Sequence, residues 1–160
     1  MDAKAKLLGH PIHQMLIVFP LGLLATSFLF DIAFLISHNT QLAVVSFWMI
    51  IVGVGTGLLA ALFGFIDWLA VPGGTRAKAI GGWHGGGNVV VVVLFLAGWW
   101  LRRGDITAPP TVSIILSAIG VGIALITGWL GGELVDRLGV GVDDGANLNA
   151  PNSITTKKIA

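Results

Sequence analysis

The chain has 160 residues, of which 55% are hydrophobic and 11% charged, with a mean hydropathy of +0.90. Soluble domains carry about 25% charged residues, so the composition is that of an integral membrane protein, and the length suits one compact unit. A net charge of +1 and the lack of a basic stripe argue against nucleic acid, and zero cysteines exclude disulfides, thiolate metal sites, iron–sulfur clusters and c-type haem attachment.

A hydrocarbon core about 30 Å thick needs roughly 20 apolar residues in a helix. Four segments meet that length, at about 14–36, 42–70, 83–101 and 111–130. The first follows Lys4 and Lys6, yet it is too long for a signal-peptide core and has no clear cleavage site before Asp31, so it reads as a retained span. Within the third, the Val89–Val93 run has strand propensity, but an isolated strand leaves its backbone unsatisfied in lipid, which makes this segment helix. The connections 37–41, 71–82 and 102–110 are short, and short links between long helices predict an all-α, antiparallel four-helix transmembrane bundle over residues 1–138. Pro72 with Gly73 and Gly74 ends the second helix, and Pro109 with Pro110 introduces the fourth. Residues 139–160 are polar and expected to be disordered. No internal repeat stands out, although spans two and four both end in an acidic residue.

Lys4, Lys6, Arg76, Lys78, Arg137, Lys157 and Lys158 fall on one side of the bilayer, against Arg102 and Arg103 on the other. The positive-inside rule therefore puts both termini in the cytoplasm. Trp68, Trp83 and Trp129 mark that interface, and Trp48, Trp99 and Trp100 the opposite one.

Up-down connectivity brings the starts of spans one and three to the same level as the ends of spans two and four. His10, His13, Asp67, His84, Asn88, Glu133 and Asp136 then share one end of the bundle. Ionisable groups at membrane depth are expensive and point to function. Each also has a plainer reading: His10 and His13 as helix caps around Pro11, Asp67 as a partner of Arg76 or Lys78, Glu133 and Asp136 as interfacial residues. After His84 come Gly85, Gly86 and Gly87, and glycine costs about 1 kcal/mol per residue against alanine inside a helix. A neighbouring helix or a bound group close to that backbone would explain them. At the opposite end Asp31 is expected to pair with Arg102 or Arg103. Gly53, Gly55, Gly57, Gly120, Gly122 and Gly128 have the small-residue spacing that lets membrane helices approach.

Several motifs together resemble a known family: Gly9-His10-Pro11-Ile12-His13, Phe19-Pro20, Gly64-Phe65-Ile66-Asp67-Trp68, Gly74-Thr75-Arg76, Trp83-His84 with Asn88, and Gly128-Trp129-Leu130-Gly131-Gly132-Glu133-Leu134-Val135. They are similar to bacterial four-span membrane proteins catalogued only as domain of unknown function 2231, over about residues 8–142. The resemblance implies the architecture and leaves the function open. Family members often end in Arg-His-Gly-Val-Gly-Val, whereas this chain has Leu138 after Arg137, so any role for a histidine there is absent or supplied elsewhere.

Three functions are compatible with these residues. Spans one and three are parallel and diagonal, so His13 and His84 are placed to bind haem b as axial ligands for electron transfer, with Gly85, Gly86, Gly87 and Asn88 beside the ring. His10, His13, His84, Asp67 and Glu133 supply a nitrogen–oxygen donor set for a divalent metal or a proton path. A small chain with minimal loops also suits an accessory subunit, contacting lipid, other membrane subunits or copies of itself. An ordinary enzyme is not expected, because no nucleophile–base set, phosphate loop or extramembrane substrate domain is present.

Overall fold

The computed structural model describes residues 1–154, so the part of the polar tail at 155–160 lies outside the described residues. The chain opens with a two-stranded antiparallel ribbon, β1 (Lys6–Leu7) and β2 (His10–Pro11), with Leu7 opposite His10. Helices follow at α1 (Ile12–Leu16), α2 (Val18–Ser37), α3 (Thr40–Ala70), α4 (Arg76–Arg102) and α5 (Thr111–Gly132), and a π-helical turn, Glu133–Arg137, extends α5. α1 and α2 form one membrane-length unit, Ile12–Ser37. The irregular residue between them, Ile17, lies just ahead of Pro20, which has no N–H to give the Leu16 carbonyl four residues earlier.

Local chemistry fixes the ends. His38 adopts left-handed φ (56°) to close α2, and the Asn39 side chain caps α3 by accepting from the Gln41 amide. Thr75 caps α4 by accepting from the Lys78 amide. α4 thus begins at Arg76, which puts Gly81–Gly87 inside a helix.

The helices pack most extensively as two hairpins, α2 with α3 and α4 with α5, and the hairpins meet through α3–α4 and α2–α5. This is an antiparallel four-helix bundle, in which α2 and α4 face each other across the centre. The four long helices are each apolar and long enough to span a bilayer. Their outer faces carry large exposed apolar side chains, among them Leu29, Ile36, Trp48, Trp83, Val89, Leu125 and Trp129, whose solvent is lipid.

Lipid tails are as apolar as leucine, so close packing and polar ties hold membrane helices together. Leu24, Ile50, Val54, Val91 and Phe95 form the central cluster. Its density depends on two glycines. A Cβ on Gly53 would lie 2.7 Å from Leu24 Cδ2, and one on Gly120 would lie 2.7 Å from Phe95 Cε2. Gly57 sits against Pro20, but Gly55, Gly122 and Gly128 have nothing within 4 Å. The packing role expected of all six glycines therefore belongs to three, because neighbouring positions two apart on a helix face different sides.

The polar tie lies at the loop end. Arg102 Nη1 and Nη2 donate to the two carboxylate oxygens of Asp31 at 2.8 and 2.7 Å, and also to Ser46 Oγ at 3.0 Å and Ser117 Oγ at 3.3 Å. Both charged side chains are fully buried. Of the two arginines expected for Asp31, Arg102 is the partner. Arg103 instead lies over the Trp100 ring, 3.0 Å from its centroid.

Removing one member of a buried ion pair typically costs about 3–5 kcal/mol, since the other charge is left stranded. Asp31→Asn should lower the thermal midpoint of the protein in detergent markedly. Asp105→Asn, in a loop where the carboxylate accepts from the Thr107 amide and hydroxyl, should leave it almost unchanged. Equal midpoints for the two variants would show that the ion pair does not hold the bundle.

Candidate functional site

The polar residues expected to gather at one end of the bundle separate into four local arrangements. Asp67 turns to the N-terminal strap: its Oδ1 accepts from the backbone amides of Lys4 (2.7 Å) and Ala5 (2.9 Å). Its expected partners are otherwise engaged. Lys78 donates to the Trp68 carbonyl at 2.7 Å and lies 3.9 Å over the Trp68 ring, while Arg76 pairs with Glu133 at 2.7 Å. Glu133 thereby ties the π-helical turn to the start of α4. His10 belongs to β2, before the helix starts, and its Nε2 lies 3.2 Å from Ser153 Oγ. Pro11 is the N-cap of α1 with no side-chain capping bond, so the His10-x-x-His13 spacing does not place both rings on one helical face. Asp136 stays exposed beside Arg137.

The fourth arrangement is His13 with His84. Their ring centroids are 6.2 Å apart and their planes stand at 89°. Each ring is seated in the same way. His13 Nδ1 lies 2.8 Å from the Ala60 carbonyl, and His84 Nδ1 lies 2.8 Å from the Thr127 carbonyl. A carbonyl oxygen only accepts, so both imidazoles carry their proton on Nδ1, leaving Nε2 with a lone pair. One turn beyond each carbonyl is a glycine that makes room for the ring. A Cβ on Gly64 would come within 2.8 Å of His13 Nδ1, and one on Gly131 within 3.2 Å of His84 Cε1.

Asn88, one turn after His84, completes the α4–α5 side. Its Nδ2 lies 3.2 Å from His84 Nε2, and its Oδ1 accepts from Thr127 Oγ1 at 2.9 Å. Thr127 thus contributes both its carbonyl and its hydroxyl. It escaped the sequence reading because a lone threonine in an apolar span has no periodic signal; the fixed interval from Thr127 to Gly131 is its only trace.

The glycines after His84 divide. A Cβ on Gly87 would lie 2.5 Å from Thr127 Cγ2, so what approaches this backbone is helix α5. Gly85 and Gly86 are exposed, a Cβ on either would meet nothing within 4 Å, and they lie on the bilayer side of α4 rather than beside the imidazole pair. The glycine cradle expected at 85–87 therefore reduces to one helix contact, because three consecutive helical residues span most of a turn.

The five-donor metal site expected from His10, His13, His84, Asp67 and Glu133 is not assembled. Among the described residues no group of three or more His, Cys, Asp or Glu side chains is placed to hold a metal ion. Asp67, Glu133 and His10 are held by the strap, by Arg76 and by Ser153, which leaves the two facing imidazoles.

At the same end, the N-terminus meets the start of the polar tail. The Met1 ammonium donates to the Gly139 carbonyl at 2.9 Å, and the Gly141 amide returns a bond to the Met1 carbonyl at 2.9 Å. Lys6 pairs with Asp2 and, at 3.7 Å, with Asp143. The bond to the Asp2 carboxylate holds the Lys6 ammonium above its usual range. The first part of the polar tail, 139–154, thus lies in turns against the N-terminal strap.

The family described as predicted membrane protein (DUF2231) matches residues 9–144. The chain belongs to that family. No curated protein and no solved structure matches it.

The seating of the imidazoles sets an expectation. Gly131→Val should force the His84 ring off α5, whereas Gly86→Val, in open space, should be tolerated. Overpacking of this kind typically costs about 1–3 kcal/mol. Thermal midpoints in detergent check it, and equal loss from both variants would mean that the glycine does not seat the ring.

Proposed function

We propose that this member of the four-span family binds haem b between His13 and His84 and transfers electrons within the bacterial inner membrane. One observation carries the reading. Two imidazoles on diagonal, parallel helices face each other, each held through Nδ1–H by a backbone carbonyl, with Nε2 as the remaining donor. Imidazoles that bind metals are generally fixed in this way through their other nitrogen. Metal–imidazole bonds run to roughly 2.0 Å. Two such bonds plus half the width of each ring account for a centroid separation of 6.2 Å.

The ligand count favours a porphyrin over a bare cation. Structural and catalytic metal sites generally draw three or four ligands from the protein, and here two imidazoles stand together. A porphyrin brings its own four nitrogens and needs only axial ligands. Binding would require the Asn88 amide to release His84 Nε2, and Thr127 Oγ1 offers Asn88 an alternative partner. When bound, the haem would supply one-electron chemistry. The protein holds the two imidazoles in one tautomer against α3 and α5.

A second reading, an accessory subunit or a homo-oligomer, is favoured by a different observation. Gly82, Gly85 and Gly86 lie exposed on the bilayer side of α4, where an added Cβ would meet nothing within 4 Å. Such a surface accepts a close-packed helix from another subunit.

Charge supports an orientation with both termini in the cytoplasm. Arg102 is neutralised by Asp31 inside the bundle, so among the described residues Arg103 is the one positive charge between α4 and α5 without an acidic partner. Lys4, Lys6, Arg76, Lys78 and Arg137 all lie at the other end. A reporter active only outside the cytoplasm, fused after residue 160, should stay silent; strong activity would reverse the orientation.

The haem reading is tested by titrating the purified full-length protein with haem b and recording oxidised and reduced spectra. A low-spin spectrum at one haem per chain is expected. His84→Ala should abolish its low-spin character while the protein stays folded, and His38→Ala, at the opposite membrane face, should change nothing. Folded wild-type protein that takes up no haem would leave the accessory-subunit reading.

A further inference from the structure

The two hairpins, α1–α3 and α4–α5, are built on the same internal contacts. In each, a histidine of the first helix donates Nδ1–H to a carbonyl of the second, one turn before the glycine that accommodates its ring: His13 with Ala60 and Gly64, His84 with Thr127 and Gly131. In each, a glycine of the second helix takes a large core side chain from the first: Gly53 takes Leu24, and Gly120 takes Phe95. The numbering is regular. Along the first helices a spacing of 71 residues relates Asp31 to Arg102, and the same spacing relates His13 to His84 and Leu24 to Phe95. Along the second helices another constant interval relates Ser46 to Ser113, Gly53 to Gly120, Ala60 to Thr127 and Gly64 to Gly131.

The first-helix pairs meet across the centre of the bundle. His13 faces His84, Asp31 binds Arg102, and Leu24 and Phe95 share one core cluster. Mutual contact between equivalent residues is the signature of a two-fold axis. Both hairpins cross the bilayer in the same sense, so the axis runs along the membrane normal, as in other membrane proteins with parallel repeats.

We propose that the chain is two copies of one helical hairpin related by a pseudo-two-fold axis, and that the His13–His84 pair is the axial site of that two-fold. His13 and His84 would hold one metal centre between them, one equivalent imidazole from each hairpin. For the identity of the ligand this rests on the haem reading; the two-fold itself does not. His13 and His84 would both stay bound while the haem supplied one-electron chemistry, and with one imidazole on each side no position would be open to a small gas.

Asp31 and Arg102 occupy the same axis about eighteen residues along each helix, roughly 27 Å away at a rise of about 1.5 Å per residue. Here the two copies differ in sign. Two identical hairpins would bring like charges together, so the opposite charges also specify which hairpin pairs with which. The serines show what the symmetry leaves in place. Ser46 accepts from Arg102, and its equivalent, Ser113, stands at the matching position for an arginine at residue 31. The match is incomplete, since the second acceptor, Ser117, has Ile50 as its equivalent.

The test uses the full-length protein in detergent and has two arms. In the first, the haem-loaded protein is reduced with dithionite and exposed to carbon monoxide. The wild-type spectrum should not change, and His13→Ala and His84→Ala should each lose the low-spin spectrum and gain a carbon monoxide adduct. In the second, thermal midpoints are compared for Asp31→Arg and for the double variant Asp31→Arg with Arg102→Asp. The double variant should recover most of the loss caused by the single one. A carbon monoxide adduct in the wild type would overturn the closed axial site while leaving the haem reading intact. No haem uptake would remove the ligand together with the proposed function, and the second arm would still decide the two-fold. A double variant no more stable than Asp31→Arg alone would overturn the two-fold.

Discussion

The ion pair between Asp31 and Arg102 is the constraint on which the bundle depends. Neither residue faces solvent, and no apolar force draws one helix to another inside a bilayer. Four helices of similar hydropathy have many near-equivalent rotations and offsets. A bidentate bond between diagonal helices admits one, because both carboxylate oxygens and both Nη atoms must meet within hydrogen-bond distance. The serines take further guanidinium hydrogens and tie α3 and α5 to the same point. Burying the pair has a desolvation cost, and its larger effect is specificity.

That register is felt at the other end. α1–α2 and α4 keep their spacing over the length of the membrane, so fixing Asp31 against Arg102 also fixes His13 against His84. Between the two, Gly53 and Gly120 let Leu24 and Phe95 fill the axis and keep the hairpins close. The imidazoles then find backbone carbonyls of α3 and α5 at 2.8 Å. Such carbonyls are already engaged in helical bonding but retain a second lone pair. The site is thus made by the same interface that makes the fold.

The strap at the N-terminus explains why Asp67 left the site that its position suggests. Two consecutive backbone amides, of Lys4 and Ala5, have no partner within their own short segment, and a carboxylate one turn from the end of α3 satisfies both. Arg76 and Glu133 close a similar bond between α4 and the π-helical turn. These acidic residues hold this end of the bundle together, and the imidazoles are left facing each other.

The sequence by itself determined the membrane class, four spans, their antiparallel order and the diagonal placement of His13 and His84. These follow from segment length, loop length and the punctuation of Pro72, Pro109 and Pro110, all local in the chain. It also placed Asp31 against one of two adjacent arginines. Only the tertiary structure decided which arginine, which glycines pack, and which polar groups share a site. Gly85, Gly86 and Gly87 are alike in sequence, yet helical rotation turns two of them to lipid and one to Thr127. The internal repeat was hidden for a related reason. Four of its matched pairs keep their residue type, His13 with His84, Ser46 with Ser113, Gly53 with Gly120 and Gly64 with Gly131, but they are scattered singly along apolar spans and two different intervals relate them. Where first-helix residues meet across the axis, Leu24 with Phe95 and Asp31 with Arg102 differ because the two side chains must complement each other, so only the packing shows them as a pair.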